Sequence, residues 1–157
     1  MSTATQRRSY TYDVAQLMKD AGAITASAAA QVSAAAKVLD TQAGAASTVA
    51  ALYEGILVID VSAIDISSTD EAYDIIVQGS DSSSFASGIE NLAQLNLGAT
   101  AARDGGAANS TIGRYELKFL NEQNGVAYRY LRVYTKVAGT TPSINYTALI
   151  AHDALQA

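Results

Sequence analysis

Tyr128, Tyr130, Arg132 and Tyr134 are the residues whose types and spacing point to recognition chemistry. Side chains two apart in an extended strand share a face, so these four fall on one side of a strand together with Lys136. Tyrosine is also the one biased residue type, with nine copies against two phenylalanines and no tryptophan. Two readings of the face stand open. It is a second packed layer whose hydroxyls reach water, or it is an interface, where tyrosine and arginine are enriched at the anchors.

Catalytic chemistry finds less support. His152 is the single histidine, and no sequence partner makes it a general base or a metal ligand, so it reads as a solvated or packing residue. With no cysteine and no Gly-x-Ser-x-Gly elbow, a nucleophile has no seat. Asp60, Asp65, Asp70, Glu71 and Asp74 form the densest carboxylate cluster, and calcium prefers such oxygen ligands. Their spacing does not match an EF-hand loop, and charges at strand ends are the better account. The run Gly79-Ser80-Asp81-Ser82-Ser83-Ser84 lacks the Gly-Lys-Ser/Thr ending and following helix of a phosphate cradle, so it reads as a serine-rich turn. The expectation is a non-enzyme with no catalytic residue, no metal and no cofactor.

The elements that would hold the tyrosine face are strands. Tyr115, Leu117 and Phe119 alternate with Arg114, Glu116 and Lys118, and Ala127, Leu131, Val133 and Val137 alternate with the tyrosines. Asn124-Gly125 marks a turn between the two runs. A two-residue loop would oppose Leu117 and Arg132, whereas a three-residue loop, Gln123-Asn124-Gly125, pairs Leu117 with Leu131 and Tyr115 with Val133. One residue of slip inverts every side chain, so the apolar match predicts a hairpin over 114–137 with the longer loop. Elsewhere, Ile56 to Val61 reads as a strand buried on both faces, Tyr73 to Gln78 as the next, and Ile144 to Ala151 as the last. Short segments at 85–89 and 92–97 precede a loop over 100–110.

Before residue 50 the pattern is less regular. Residues 1–11 are polar, and Asp13 can cap a short helix through Asp20 that Gly22 ends. Alanine favours helix, yet from Ile24 to Val38 every even position is apolar and most odd ones are polar. Period two predicts extended structure. The division expected is an N-terminal arm over 1–23 and one antiparallel β-sandwich domain over 24–157. Arg7, Arg8, Tyr10 and Tyr12 make that arm a candidate grip, because an extended segment can add to a sheet edge or lie in a groove. The plainer alternative is a loose tail before an ordinary strand.

A chain of 157 residues is most simply one domain. Charged residues make up 16% and the net charge is −5, which argues against a nucleic-acid partner because such proteins carry a basic stripe. No apolar run reaches the roughly 18 residues of a membrane span. Arg7-Arg8 leads into Ser9-Tyr10-Thr11-Tyr12-Asp13 and not into the apolar stretch of a signal peptide, so an intracellular origin is expected. The glycosylation patterns at Asn109 and Asn145 then read as chance.

Several segments, taken in order, resemble the capsid cement (decoration) proteins of tailed bacteriophages. They are Lys19-Asp20-Ala21-Gly22-Ala23-Ile24-Thr25, Lys37-Val38-Leu39-Asp40, Tyr73 through Ser82, Gly113 through Leu117, Asn121-Glu122-Gln123-Asn124-Gly125, Tyr128-Arg129-Tyr130 and Ile144-Asn145-Tyr146-Thr147. The likeness spans most of residues 12–150, and its specificity lies in the succession of segments. It implies a jelly-roll-like β-sandwich that forms a homo-oligomer, dimer or trimer. It also implies a place in the virion on the outer surface of the capsid, bound to the major capsid protein after synthesis in the host cytoplasm. The chain departs from the family over 43–51 and 98–112. A carbohydrate-binding β-sandwich module is the alternative, with exposed tyrosines stacking on a sugar.

Overall fold

The computed structural model describes residues 10–11, 13–43 and 50–153. Short strands come first: β1 (Tyr10–Thr11), β2 (Leu17–Lys19), β3 (Ala23–Ile24), β4 (Ala28–Ala29), β5 (Gln31–Val32), β6 (Ala35–Ala36) and β7 (Leu39–Asp40). Longer ones follow: β8 (Glu54–Ile64), β9 (Ala72–Ser80), β10 (Glu90–Gly98) and β11 (Gly113–Leu120). The small pair β12 (Glu122–Gln123) and β13 (Val126–Ala127) leads to β14 (Tyr130–Ala138) and β15 (Ile144–Asp153). The fold is an antiparallel β-sandwich. One sheet runs β1-β15-β8-β11, with β2 and β3 also on β15; the other runs β10-β9-β14-β4, with β7 also on β14.

Alternation builds the core. Leu57, Ile59 and Val61 of β8 face Tyr73, Ile75 and Val77 of β9, with Leu131 and Val133 of β14 and Ile144, Tyr146, Ala148 and Ile150 of β15 completing one cluster. The other side of β8 is buried too: Ile56 and Val58 pack with Leu149 and Ala151 on the far face of that sheet. The run 56–61 is therefore a strand buried on both faces, as its unbroken apolar sequence predicts. Two phenols tie the interior. The Tyr146 hydroxyl lies 2.6 Å from Thr135 Oγ1, bridging the sheets. The Tyr73 hydroxyl donates to the Asp65 carbonyl at 2.6 Å and accepts from the Ser143 amide at 2.9 Å. Burial raises both phenols above their ordinary pKa, which keeps them neutral.

The hairpin expected over 114–137 does not form. The Asn124-Gly125 turn is real, with both residues in the left-handed region (φ 53° and 80°), but it joins only Gln123 to Val126 and Glu122 to Ala127. Its loop has two residues, not three. Beyond it the strands part: Leu117 lies opposite Leu57 in one sheet, and Leu131 lies opposite Gly79 in the other. Both strands still turn their apolar residues to one core, from opposite sides. The alternation was read correctly; the neighbour was not.

The N-terminal helix is also shorter than expected. Asp13 caps it, accepting from the Ala15 amide at 2.8 Å, but only a 3-10 turn over Val14–Gln16 follows before β2 begins. β2 and β3 then pair with β15. From Ile24 to Val38 the chain is extended, but in short pieces. Ser33 and Ala34 form a left-handed turn (φ 53° and 62°) that folds β5 onto β6, and the Asp20 carboxylate accepts from the Ser33 amide at 2.7 Å. Lys19 is buried, its ammonium donating to the carbonyls of Asp20, Gly22 and Tyr146 at 2.9, 2.8 and 3.0 Å.

Three carboxylates make stability acid-sensitive. Asp40 is held below the usual carboxylate range chiefly by its bond from Arg129, Asp65 by the Ser67 amide and Asp70 by the Thr140 amide. A depressed folded-state pKa favours the charged form, so the contribution is complete above the unfolded value, near 3.8, and drains as pH falls through the folded values. We expect the urea midpoint to hold level down to about pH 5 and to fall below about pH 4, with a shallower fall in Asp70→Asn.

Candidate interaction surface

β14 sets the surface by period two. Leu131, Val133 and Thr135 are buried inward, while Tyr130, Arg132 and Tyr134 are half-buried outward and Lys136 is exposed. Register then lays a row across the sheet: Arg132 opposite Gln78 of β9, and Gln78 opposite Asn91 of β10. The row is hydrogen-bonded throughout. Arg132 Nε donates to Gln78 Oε1 at 2.9 Å, and Gln78 Nε2 donates to Asn91 Oδ1 at 2.8 Å.

Two rings pack near the guanidinium. Arg132 lies 4.3 Å from the centroid of Phe85 and 5.4 Å from that of Tyr134. Phe85 is buried and sits in a left-handed backbone conformation (φ 53°), its amide donating to the Ser82 carbonyl at 3.0 Å. The 81–88 segment thus carries an apolar ring onto the outer face of the sheet. Burial lowers the Arg132 pKa from its ordinary value, with the Tyr134 hydroxyl acting the other way. The cation is therefore partly stripped of water but remains charged.

Arg129 sits beside this stack. It grips Asp40 with two bonds, Nε to Oδ1 at 2.8 Å and Nη2 to Oδ2 at 2.9 Å, and lies over the Tyr130 ring at 5.2 Å. Thr41 adds bonds from its amide and hydroxyl to the Arg129 carbonyl. Together these pin β7 to the start of β14.

Tyr130, Arg132 and Tyr134 are brought together as the sequence predicted. Tyr128 is not. It precedes β14, and its Cβ and Cγ pack over the Cα of Gly79, where an added methyl would come within 2.8 Å of Tyr128 and 2.9 Å of Leu92. Gly79 lies opposite Leu131, on the inward side of β9, so Tyr128 belongs to the end of the sandwich. There it lines a cleft of about 360 Å³ with Asp81, Ser82 and Glu90. The alternation failed at Tyr128 because the strand starts two residues later.

Of the arm, Arg7, Arg8 and Tyr12 lie outside the described residues, as does the Tyr10 side chain; the Tyr10 backbone pairs with Asp153. His152 is exposed and places its ring edge-on to Tyr53, centroids 5.3 Å apart, with Nε2 at 3.2 Å from the Tyr53 hydroxyl. The carboxylates of 60–74 are dispersed. Asp60 pairs with Arg114, Asp65 caps Ser67, Asp70 receives Thr140, and Glu71 is buried with Oε1 accepting from the Ser68 amide. Among the described residues, no three His, Asp or Glu side chains gather as a metal site, and no helix is long and apolar enough to cross a membrane. Phe85 and Gln78 are the contributors that sequence reasoning missed; both reach Arg132 across more than forty residues, with no local signal.

These features define an antiparallel β-sandwich that presents an aromatic-guanidinium face on one sheet. No family model matches the chain, and a comparison with curated proteins found no match.

Proposed function

We propose that this chain is a capsid cement protein, which binds the outer surface of a phage head and stabilises the lattice of major capsid protein. The observation that carries the reading is the outward row of Tyr130, Arg132 and Tyr134, with Arg132 held by Gln78 and packed against Phe85. The ordered resemblance in sequence points the same way. Cement that binds only the assembled lattice stabilises it by mass action, by about 2.7 kcal/mol per site at a hundredfold excess over Kd. An oligomer that spans neighbouring capsomers gains effective concentration as well. A dimer on two-fold axes and a trimer on three-fold axes both satisfy this mechanism, and we favour the dimer.

Purified virions should carry the protein in copy numbers that scale with the capsid lattice. Its absence from heads, or its presence as a few copies at the tail, would sink the proposal. Light scattering on the purified protein should give a dimer or trimer at micromolar concentration.

The second reading, a carbohydrate-binding module, draws on the Tyr128 cleft, where a ring stands beside Asp81 and Glu90. Selective binding on a glycan array, lost in Tyr128→Ala, would favour it.

A further inference from the structure

The described arginines differ in what occupies their forks. Arg114 grips Asp60 through Nε and Nη2 at 2.7 and 2.9 Å, and Arg129 grips Asp40 in the same way. Arg103 donates Nη1 and Nη2 to the carbonyls of Asn96 and Ala108. Arg132 is the exception. Its Nε is taken by Gln78, while among the described residues its Nη1 and Nη2 have no partner and no carboxylate stands within ion-pair distance. Two rings and a chain of two amide hydrogen bonds fix this guanidinium, yet its terminal edge has no partner among the described residues.

We propose that Arg132 is the receptor for an acidic side chain of a protein partner, an Asp or Glu whose carboxylate meets the paired Nη1 and Nη2 edge. The inference rests on the reading of this face as the contact face and names its chemistry. Two parallel bonds from a guanidinium to a carboxylate are both directional and stronger than neutral ones. Rings beside the guanidinium shield such a pair from water, which is the setting in which an arginine becomes an interface anchor. Protein is favoured over an acidic sugar by the lining. Around Arg132 the outward side chains are packed, with Ile76, Gln78 and Phe85 5%, 9% and 6% exposed, and the neighbouring cleft beside Tyr128 carries Asp81 and Glu90, which repel a sugar acid. The net charge of −5 repels acidic partners at long range, so the site gives specificity of register more than speed of encounter.

Two measurements on the full chain test this. Binding to heads stripped of the protein should fall about a hundredfold in Arg132→Ala, and at least tenfold in Arg132→Lys, which keeps the charge but loses the fork. Lys118→Gln, an equal charge change on the other sheet, should bind as the parent does. Urea midpoints of all variants exclude misfolding as the cause. Independently, the Arg132 Nε–Hε resonance, identified by its loss in Arg132→Lys, should shift saturably with N-acetyl-glutamate amide and not with N-acetyl-glutamine amide. Equal responses to the two amides, or none, would overturn the carboxylate site. Saturation by N-acetylneuraminic acid at lower concentration than by the glutamate probe would overturn the protein partner in favour of an acidic glycan. Unchanged head binding by Arg132→Ala would overturn the site and leave the cement reading standing. Parent protein that fails to bind heads removes the cement reading, and the glutamate titration then decides the site alone.

Discussion

Asn121→Ala should cost about 3–5 kcal/mol, a large share of the 5–15 kcal/mol that holds a typical domain. Asn121 is fully buried where the chain leaves β11 for the small turn. Its side chain donates to the carbonyls of Ala51 and Tyr128 at 2.8 and 2.9 Å and accepts from the Tyr53 amide at 2.7 Å. Its backbone pairs with Tyr53 and Tyr128 as well. One amide side chain thus substitutes for the ladder that ends when the two strands enter different sheets. Truncation leaves three backbone groups without partners, each worth about 1–3 kcal/mol when buried. Gln94→Ala, which removes one exposed bond to Asn96, should stay within about 0.5 kcal/mol. Urea denaturation reads both. A loss under about 1 kcal/mol in Asn121→Ala would mean that the backbone pairs alone hold the corner.

The same corner explains why the sequence misled. Alternation over 115–119 and 131–137 states which side chains face a core, and that part was legible: Leu117 and Tyr115 pack against the core, with Leu131 and Val133 buried within it. It does not state which strand lies alongside. In a sandwich, two strands that turn apolar faces to one core look, in sequence, like two strands of one sheet. Asn-Gly flanked by such runs is a hairpin signal, and it correctly found the turn. The decisive residue was Asn121, whose type carries no hint that it bonds across seventy positions to Ala51.

Legibility elsewhere followed side-chain volume. β8, β9 and β15 were plain because Ile, Leu, Val and Tyr give strong patterns. The alanines of 24–38 gave a clean period two but little burial: Ala30 is 1% exposed, while Ala26, Ala28, Ala34 and Ala36 are exposed. An apolar pattern built from alanine costs little to leave in water, so it fixes extended backbone without fixing a face. The Ser33-Ala34 turn was invisible because neither residue is a usual left-handed one; the Asp20 carboxylate on the Ser33 amide holds it. The outward tyrosines and Arg132 were legible as a face, since β14 is regular from Tyr130 onward. What makes that face a site was not, because Phe85 and Gln78 arrive from another loop and another strand.

Gly98→Ala should be comparably damaging, by about 4 kcal/mol, combining left-handed strain of about 1–3 kcal/mol with a backbone collision. Gly98 ends β10 at φ +134°, and a Cβ there would lie 2.3 Å from the Glu71 carbonyl oxygen and 2.9 Å from Ala72 Cα. Neither atom is the end of a flexible side chain. Glu71 cannot retreat easily, since its carbonyl accepts from the Ala99 amide at 2.9 Å and its side chain is buried. Gly98 also pairs with Ala72 and accepts from the Ser110 amide at 2.9 Å, so displacing it unzips the end of β10 from β9 and frees the 99–110 loop. Gly105→Ala isolates the conformational part: φ is +69° and nothing lies within 4 Å of the added methyl, so about 1 kcal/mol is expected. Hydrogen exchange at the Ala99 amide should quicken in Gly98→Ala and hold in Gly105→Ala. Gly98 stands at the opposite end of β10 from Asn91, which anchors the Arg132 row. The Arg132 Nε–Hε resonance should therefore persist in folded Gly98→Ala; its loss there would mean that the row depends on the whole strand and not on the local chain of amides.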